Sequence, residues 1–322
     1  WGSDDETKPL RINNVVLFIQ KHGHNVRELL FQFDNDSYIA HNMSLLSRHI
    51  TANTKFTHVA YQKDPISTAW LILENGNLAG MTYDRAQDVV AWHRHPIGGT
   101  DVAVESIAVI PGTTQDELWA VIKRTVNGST VRYIEYMTDV FSLDDTPVKE
   151  DAFFVDSGLT YDGTSTSTIS GLDHLEGETV TILGDGAVQP VRTVSSGSIT
   201  LEHAVTKASI GLNYTGKIHT QPFIPQAQAL VGDNLTHSIA QIVLRFNNTL
   251  GSKYGVSTDE LDRIEYRKPS DPMDSSPPLF SGLIELPGMG TWDREVGVMV
   301  HQDQPLPMTL ISISATVAFG GR

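Results

Sequence analysis

Residues 68–83, TAWLILENGNLAGMTY, carry the pattern that decides the fold: two apolar strands joined by an Asn-Gly turn. Asn75 and Gly76 tolerate the positive φ angles that tight hairpin turns require. Similar pairs of strands lie on either side, with turns at 22–25 and at Asn127-Gly128. Because no segment longer than about ten residues shows a firm 3.6-residue period, the sequence predicts an all-β protein with little helix.

The hairpins resemble copies of one unit. Trp70 and Trp119 lie 49 residues apart, each in a strand that leads into an Asn-Gly turn. A similar strand precedes each of them, HVAY at 58–61 and SIAV at 106–109. A period of about 40–50 residues with three or four strands is typical of β-propeller blades. We therefore predict propeller-like blades over residues 1–150, with a plain antiparallel meander as the alternative.

The middle of the chain has a different texture. An acidic, turn-rich stretch at 141–152 reads as a linker. Residues 151–220 then contain short strands with turns at Gly184-Asp185-Gly186 and Ser195-Ser196-Gly197. Short, evenly spaced strands of this kind predict a small β-barrel or sandwich domain.

A third region is predicted over residues 221–322, as a C-terminal β domain. Prolines at 221–228 mark its beginning, and four more prolines in 267–280 predict an extended, Pro-rich arm. Residues 238–249 alternate as in a half-buried strand with one irregular step, which indicates a β-bulge. The residues predicted to face the core of this strand are Ile239, Ile242, Leu244 and Phe246.

Composition excludes several kinds of chemistry. The net charge of −15 opposes tight nucleic-acid binding, which depends on Lys and Arg to neutralise phosphates. The acidic balance serves solubility, or it lines a conduit through which DNA slides without sticking. Without cysteine the chain has no disulfide, thiolate ligand or cysteine nucleophile. No apolar run approaches the roughly 18 residues that span a bilayer, so no membrane insertion is predicted.

Three groups of residues have side chains of the kinds that bind metal ions. His93 and His95 share one face of a predicted strand, but a zinc site needs at least a third ligand. His22 and His24 flank a glycine in a turn, where solvated side chains are the simpler interpretation. Asp34-Asn35-Asp36 resembles the start of a calcium loop but lacks the glycine at position six and the distal glutamate. The sequence predicts packing or turn roles for all of them, and no metal.

Other residues have side chains of the kinds that catalysis or sugar binding would use. A pair of carboxylates would suit glycoside hydrolysis, and a row of tryptophans would suit sugar stacking. Tryptophans in apolar strands more often belong to the core. The chain has no Gly-x-Ser-x-Gly elbow and no phosphate-binding Gly-x-x-x-x-Gly-Lys-Ser/Thr loop. We predict no catalytic residue and no cofactor site; the candidates considered were Asp84, Asp88, Asp101, Glu105, Trp70, Trp92 and Trp119.

Several segments, spread over most of the chain, resemble the tail nozzle proteins (tail tubular protein B-like) of short-tailed bacteriophages. No single segment is a motif with a known mechanism, and the resemblance depends on the similarity of all the segments together. The segments are VVLFIQKHGHNVREL (15–29), YDRAQDVVAWHRHPIGG (83–99), VESIAVIPG (104–112), DELWAVIKRTVNG (116–128), SGLDHLEGETVTILGDGAVQP (170–190), RKPSDPM (267–273), PPLFSG (277–282) and QDQPLPMTLI (302–311).

The resemblance implies a structural role without catalysis. Nozzle proteins form a ring of identical subunits, usually six, beneath a tail adaptor and next to tail fibre or tailspike proteins. DNA passes through the ring without specific binding, and no cofactor is needed. The expected location is the virion, after synthesis in the cytoplasm of the bacterial host. Since nozzle proteins are commonly longer, this sequence is expected to be the carboxy-terminal part of one, with the arm at 267–280 clasping a neighbour.

Two other functions remain as alternatives. A receptor- or glycan-binding tail module would present Trp and Tyr side chains at its surface. A cell-wall glycan hydrolase would bring a pair of carboxylates together in a cleft.

Overall fold

The computed structural model describes residues 2–141, 147–223, 236–290 and 292–320. The chain divides into two compact units, residues 1–139 and 140–322. Within the described residues every sheet is antiparallel and every helical turn is a short 3-10 turn. The predicted all-β class is therefore confirmed.

The first unit contains three sheets, each a meander of consecutive strands. The first sheet has the order β1-β2-β3-β4, the second β5-β6-β7-β8, and the third β11-β10-β9. Their bounds are β1 Leu10–Ile12, β2 Val15–Ile19, β3 Val26–Gln32, β4 Ser37–Asn42, β5 Phe56–Gln62, β6 Thr68–Leu73, β7 Leu78–Asp84, β8 Val89–His95, β9 Thr100–Pro111, β10 Asp116–Val126 and β11 Ser129–Tyr136.

The second sheet lies between the other two, and its inner strands β6 and β7 are covered on both faces. One face, with Leu71 of β6, packs in the same core as Leu17 of the first sheet. The other face, with Trp70, packs in a core with Leu118 and Ile122 of the third sheet. All six residues of β6 are buried. A strand covered on both sides needs no polar face, which explains the continuous apolar run TAWLIL.

The two tryptophan strands occupy the same place in their sheets. Trp70 pairs with Ala60 on one side and with Gly80 on the other. Trp119 pairs with Ala108 on one side and with Tyr136 on the other. These two alanines occupy the same position, the third, in the similar segments HVAY and SIAV. The second and third sheets thus share a meander order with a tryptophan at the matching strand, and the third lacks a fourth strand within the described residues. Propeller-like blades stay a prediction.

The second unit begins with a fourth sheet in the order β12-β15-β13-β14. Its edge strands, β12 and β14, do not pair with each other, so the sheet is open. A small barrel or sandwich was predicted here, and the described residues form no closed barrel. A barrel requires the two edges of a sheet to join. The bounds are β12 Asp156–Ser170, β13 Thr179–Gly184, β14 Ala187–Thr193 and β15 Ser198–Leu212.

Two further sheets complete the second unit. The fifth has the order β16-β21-β18-β19 and the sixth the order β20-β17-β22. Their bounds are β16 Gly216–His219, β17 His237–Thr249, β18 Lys253–Ser257, β19 Glu260–Arg263, β20 Phe280–Pro287, β21 Met299–Gln302 and β22 Thr309–Phe319.

Strand β17 confirms the predicted pattern at 238–249. Its pairing with β22 shifts register between Ile239 and Gln241, where the sequence predicts a bulge. The four residues predicted to face the core are buried, each at most 1% exposed: Ile239, Ile242, Leu244 and Phe246.

The predicted Pro-rich arm lies in the connection between β19 and β20. Arg267 donates to the carbonyl of Ser275 at 2.6 Å, and the Lys149 ammonium donates to the carbonyl of Ser276 at 2.8 Å. The Arg267 bond lies within the arm, and the Lys149 bond holds the arm against its own unit. The predicted boundary at 221–228 lies mostly outside the described residues, and the division between a middle and a C-terminal domain stays a prediction.

Candidate interaction surface

The two histidines of β8 form a neutral, packed pair. His93 Nδ1 lies 2.6 Å from His95 Nε2, and His93 Nε2 lies 3.1 Å from the Thr82 hydroxyl. The His95 ring packs edge-on against Trp70, with centroids 4.7 Å apart. Burial lowers the pKa of His93, and burial together with His93 lowers the pKa of His95 to about 3. The pair therefore packs without charge at neutral pH.

Among the residues that the structure describes, no group of three or more His, Cys, Asp or Glu side chains is placed to hold a metal ion.

The four carboxylates considered for hydrolysis have separate local roles. Asp84 caps a 3-10 turn by accepting the backbone N–H groups of residues 86 and 87. Asp88 ends that turn in the left-handed conformation. Asp101 accepts a hydrogen bond from the Thr125 hydroxyl, and Glu105 forms an ion pair with Arg132. The structure does not gather them in a cleft.

The remaining polar candidates lie in turns. Asp34 and Asn35 belong to a 3-10 turn between β3 and β4, and Asp36 ends it with a φ of 44°. His22 sits in the turn after β2 with a φ of 79°. His24 Nδ1 lies 3.1 Å from the carbonyl oxygen of Thr54. These contacts fix loops.

The three tryptophans divide into two in the core and one at the surface. Trp70 is 4% exposed, between the second and third sheets. Trp92 stacks on Phe56 and donates its indole N–H to the Met43 carbonyl at 2.9 Å. Trp119 lies on the opposite side of β10 from the core residue Leu118. Two of the three are therefore core residues, as tryptophans in apolar strands usually are.

Around Trp119 lies an uncovered sheet face, which we call the Trp119 face. Residues paired directly across antiparallel strands point to the same side of a sheet. The pairs Trp119–Tyr136 and Val121–Ile134, and the pair Glu117–Ile110, define this side. Ile134 is 73% exposed, Tyr136 54% and Ile110 48%. The Trp119 face consists of Ala108, Ile110, Glu117, Trp119, Val121, Ile134 and Tyr136.

The Trp119 face combines an aromatic centre with charged flanks. The rings of Trp119 and Tyr136 lie 5.2 Å apart at 31°, and the indole N–H donates to Glu117 at 2.9 Å. Beyond Val121, Arg132 contacts Glu105 at 2.7 Å, and this hydrogen bond lowers the pKa of Glu105. Fixed aromatic side chains bordered by polar groups are typical of the energetic centre of protein interfaces.

Sequence reasoning missed a buried polar network between the first and second sheets. The Glu28 carboxylate is buried, accepts the Tyr83 hydroxyl at 2.5 Å and forms an ion pair with Arg85. Burial and the contact with Glu28 raise the pKa of Tyr83. The signal was present, since Glu28 takes the core-facing position between Val26 and Leu30.

Comparisons with protein-family models and with curated proteins find no match for this chain. A search of the described residues for a helix of membrane-spanning length and apolarity finds none.

Proposed function

We propose that this chain is a structural component of a short-tailed phage tail, part of the nozzle or tail tube through which DNA leaves the virion. The observation that carries the proposal is the stack of three sheets in the first unit, in which the inner strands of the middle sheet are covered on both faces. Sheets joined face to face by apolar cores resist shear and bending, as the wall of a tube must.

The proposed partners follow from this role. Copies of the chain form a ring, the tail adaptor lies above it, and tail fibre or tailspike proteins lie beside it. The net charge of −15 suits a wall past which DNA moves without being held. The chain acts in the virion and is made in the cytoplasm of the bacterial host.

Electron microscopy tests the proposal directly. The purified chain, imaged in negative stain, should form rings with a central hole, and antibodies against it should label the distal tail of the virion. Particles that stay monomeric, together with virions that bear no label on the tail, would contradict the proposed function.

A second function is favoured by the pair of half-buried Trp119 and exposed Tyr136. Aromatic faces stack on sugar rings, and Glu117 beside them offers a hydrogen-bond acceptor. The chain would then bind a glycan receptor on the host. A glycan array separates the two functions: binding that disappears in Trp119→Ala favours the receptor module, and an empty array favours the wall component.

A further inference from the structure

The Trp119 face repeats a face that is buried one sheet earlier. Trp70 and Trp119 hold equivalent positions in their sheets. Trp70 pairs with Ala60 of the preceding strand, and Trp119 pairs with Ala108 of the preceding strand. The side of the second sheet that carries Trp70 is covered by the third sheet. The side of the third sheet that carries Trp119 is left with Ile134 73% exposed. By this equivalence, the Trp119 face is built to receive another sheet.

The other end of the stack offers such a sheet. On the first sheet, Leu17 and Glu28 point toward the second sheet, and their neighbours Val16 and Leu29 point away. Phe31 pairs with Tyr38 on this outer side, with the two rings 5.3 Å apart, and Tyr38 is 71% exposed. We call this side the Tyr38 face; it consists of Val16, Phe18, Leu29, Phe31 and Tyr38, with Arg11 and Arg27 on the same side.

We propose that the Trp119 face of one copy packs on the Tyr38 face of the next copy, so that the stack of sheets continues from chain to chain. This inference rests on the proposed function, because it names the surface through which the subunits of a tail ring meet. The contact joins two different faces, so each copy in a pair keeps its other face free for a further neighbour. Such head-to-tail contacts produce a ring where the rotation closes and a filament where it does not.

Charged substitutions on each face test the contact. Ile134→Glu and Tyr38→Glu both change exposed side chains, so each variant should keep the far-ultraviolet circular dichroism spectrum and melting temperature of the wild type. Sedimentation velocity over a concentration series should show oligomers for the wild type. Each variant alone should be monomeric, with association weakened more than about tenfold, because the contact would then bury an added carboxylate. The matched control is Ile311→Glu, an exposed strand isoleucine in the second unit.

Mixing the two variants identifies the pairing. Ile134→Glu keeps an intact Tyr38 face and Tyr38→Glu keeps an intact Trp119 face, so the mixture should form 1:1 dimers that grow no further. A mixture that stays monomeric overturns the proposal. Association of Tyr38→Glu alone at the wild-type level overturns it too, since the Trp119 face would then pack on itself or on another surface.

The same measurements separate this interface from the proposed function. Rings that form equally well from Ile134→Glu would overturn the interface and leave the wall function standing. Loss of association in both variants, with no label on the virion tail, would uphold the interface and contradict the function.

Discussion

A Cβ atom at Gly80 would lie 2.1 Å from Cε1 of His93. The missing side chain makes room for the His93 ring, which reaches the Thr82 hydroxyl and His95. We expect Gly80→Ala to displace this ring and to lower the free energy of unfolding by about 1–3 kcal/mol, the usual cost of overpacking a core. Urea denaturation followed by tryptophan fluorescence measures it.

Gly216 is the matched control for this prediction. It also lies in a strand, β16, but nothing approaches its Cβ position within 4 Å. Gly216→Ala should change the free energy of unfolding by less than about 1 kcal/mol. Equal effects of the two substitutions would show that the His93 ring moves aside without cost.

The histidine pair makes the first unit sensitive to acid. The pKa of His95 falls to about 3 and that of His93 is lowered, against about 6.5 in an unfolded chain. Below pH 6.5 both histidines bind protons in the unfolded state but remain neutral in the folded state. The free energy of unfolding therefore falls as the pH drops. His95→Gln should therefore lose less stability than the wild type between pH 7 and pH 5. Urea midpoints at the two pH values measure the difference.

The control for the acid prediction is His41→Gln, at an exposed position in β4. It should lose as much stability between pH 7 and pH 5 as the wild type does. An unchanged pH dependence in His95→Gln would locate the acid-sensitive group elsewhere. The neutral groups around the pair, Trp70 and Thr82, give it no counter-charge that would hold a proton.

At the scale of elements, the two-residue turns are the best-specified parts of the fold. Asn127 and Gly128 join β10 to β11 with φ angles of 47° and 73°, both in the left-handed region. Nothing surrounds a Cβ atom at Gly128, so strain in the backbone is the main cost of adding one. We expect Gly128→Ala to destabilise the protein by about 1–2 kcal/mol. Gly128→Asn should cost less, because asparagine tolerates this conformation. Urea denaturation of both variants measures the difference, and a larger loss in Gly128→Asn would contradict the assignment.

These turns show why some elements could be predicted from the sequence. The turns at Asn127-Gly128, Asp185-Gly186 and Ser196-Gly197 each depend on two adjacent residues with positive φ. The bulge in β17 was also predictable from a short stretch of sequence, because it interrupts the alternation of apolar and polar residues within that one strand. Local rules determine local elements.

The pairings between distant segments could not be predicted in this way. Strand β12 pairs with β15, whose sequence begins 28 residues after β12 ends, and only the folded sheet selects that partner. The expected barrel failed at this step, because hairpin patterns do not reveal whether outer edges meet. The Trp119 face could not be predicted either. Trp70 and Trp119 have similar sequence surroundings, and only the order of the sheets in the stack covers Trp70 and leaves Trp119 without a covering sheet.

At the scale of the whole molecule, the first unit has cores of its own. Both apolar cores that contain its sheets are made of residues between 10 and 122. We expect the fragment 1–139 to fold alone and to unfold in one cooperative transition. Circular dichroism during heating tests it. The fragment 1–99, which lacks the third sheet and uncovers Trp70, should aggregate or melt without cooperativity. Equal behaviour of the two fragments would contradict the role given to the third sheet.

The double burial of β6 has a consequence for synthesis. TAWLIL has no charge, no proline and strong strand propensity, which are the features of segments that form amyloid-like zippers. Its second cover is complete only when β10 has left the ribosome, roughly 50 residues later, or about 3–10 seconds at ordinary elongation rates. During that interval, nascent chains on ribosomes that share one mRNA expose the same aggregation-prone hexapeptide to each other. Slower initiation or a chaperone that holds the nascent chain should therefore raise the yield of soluble protein.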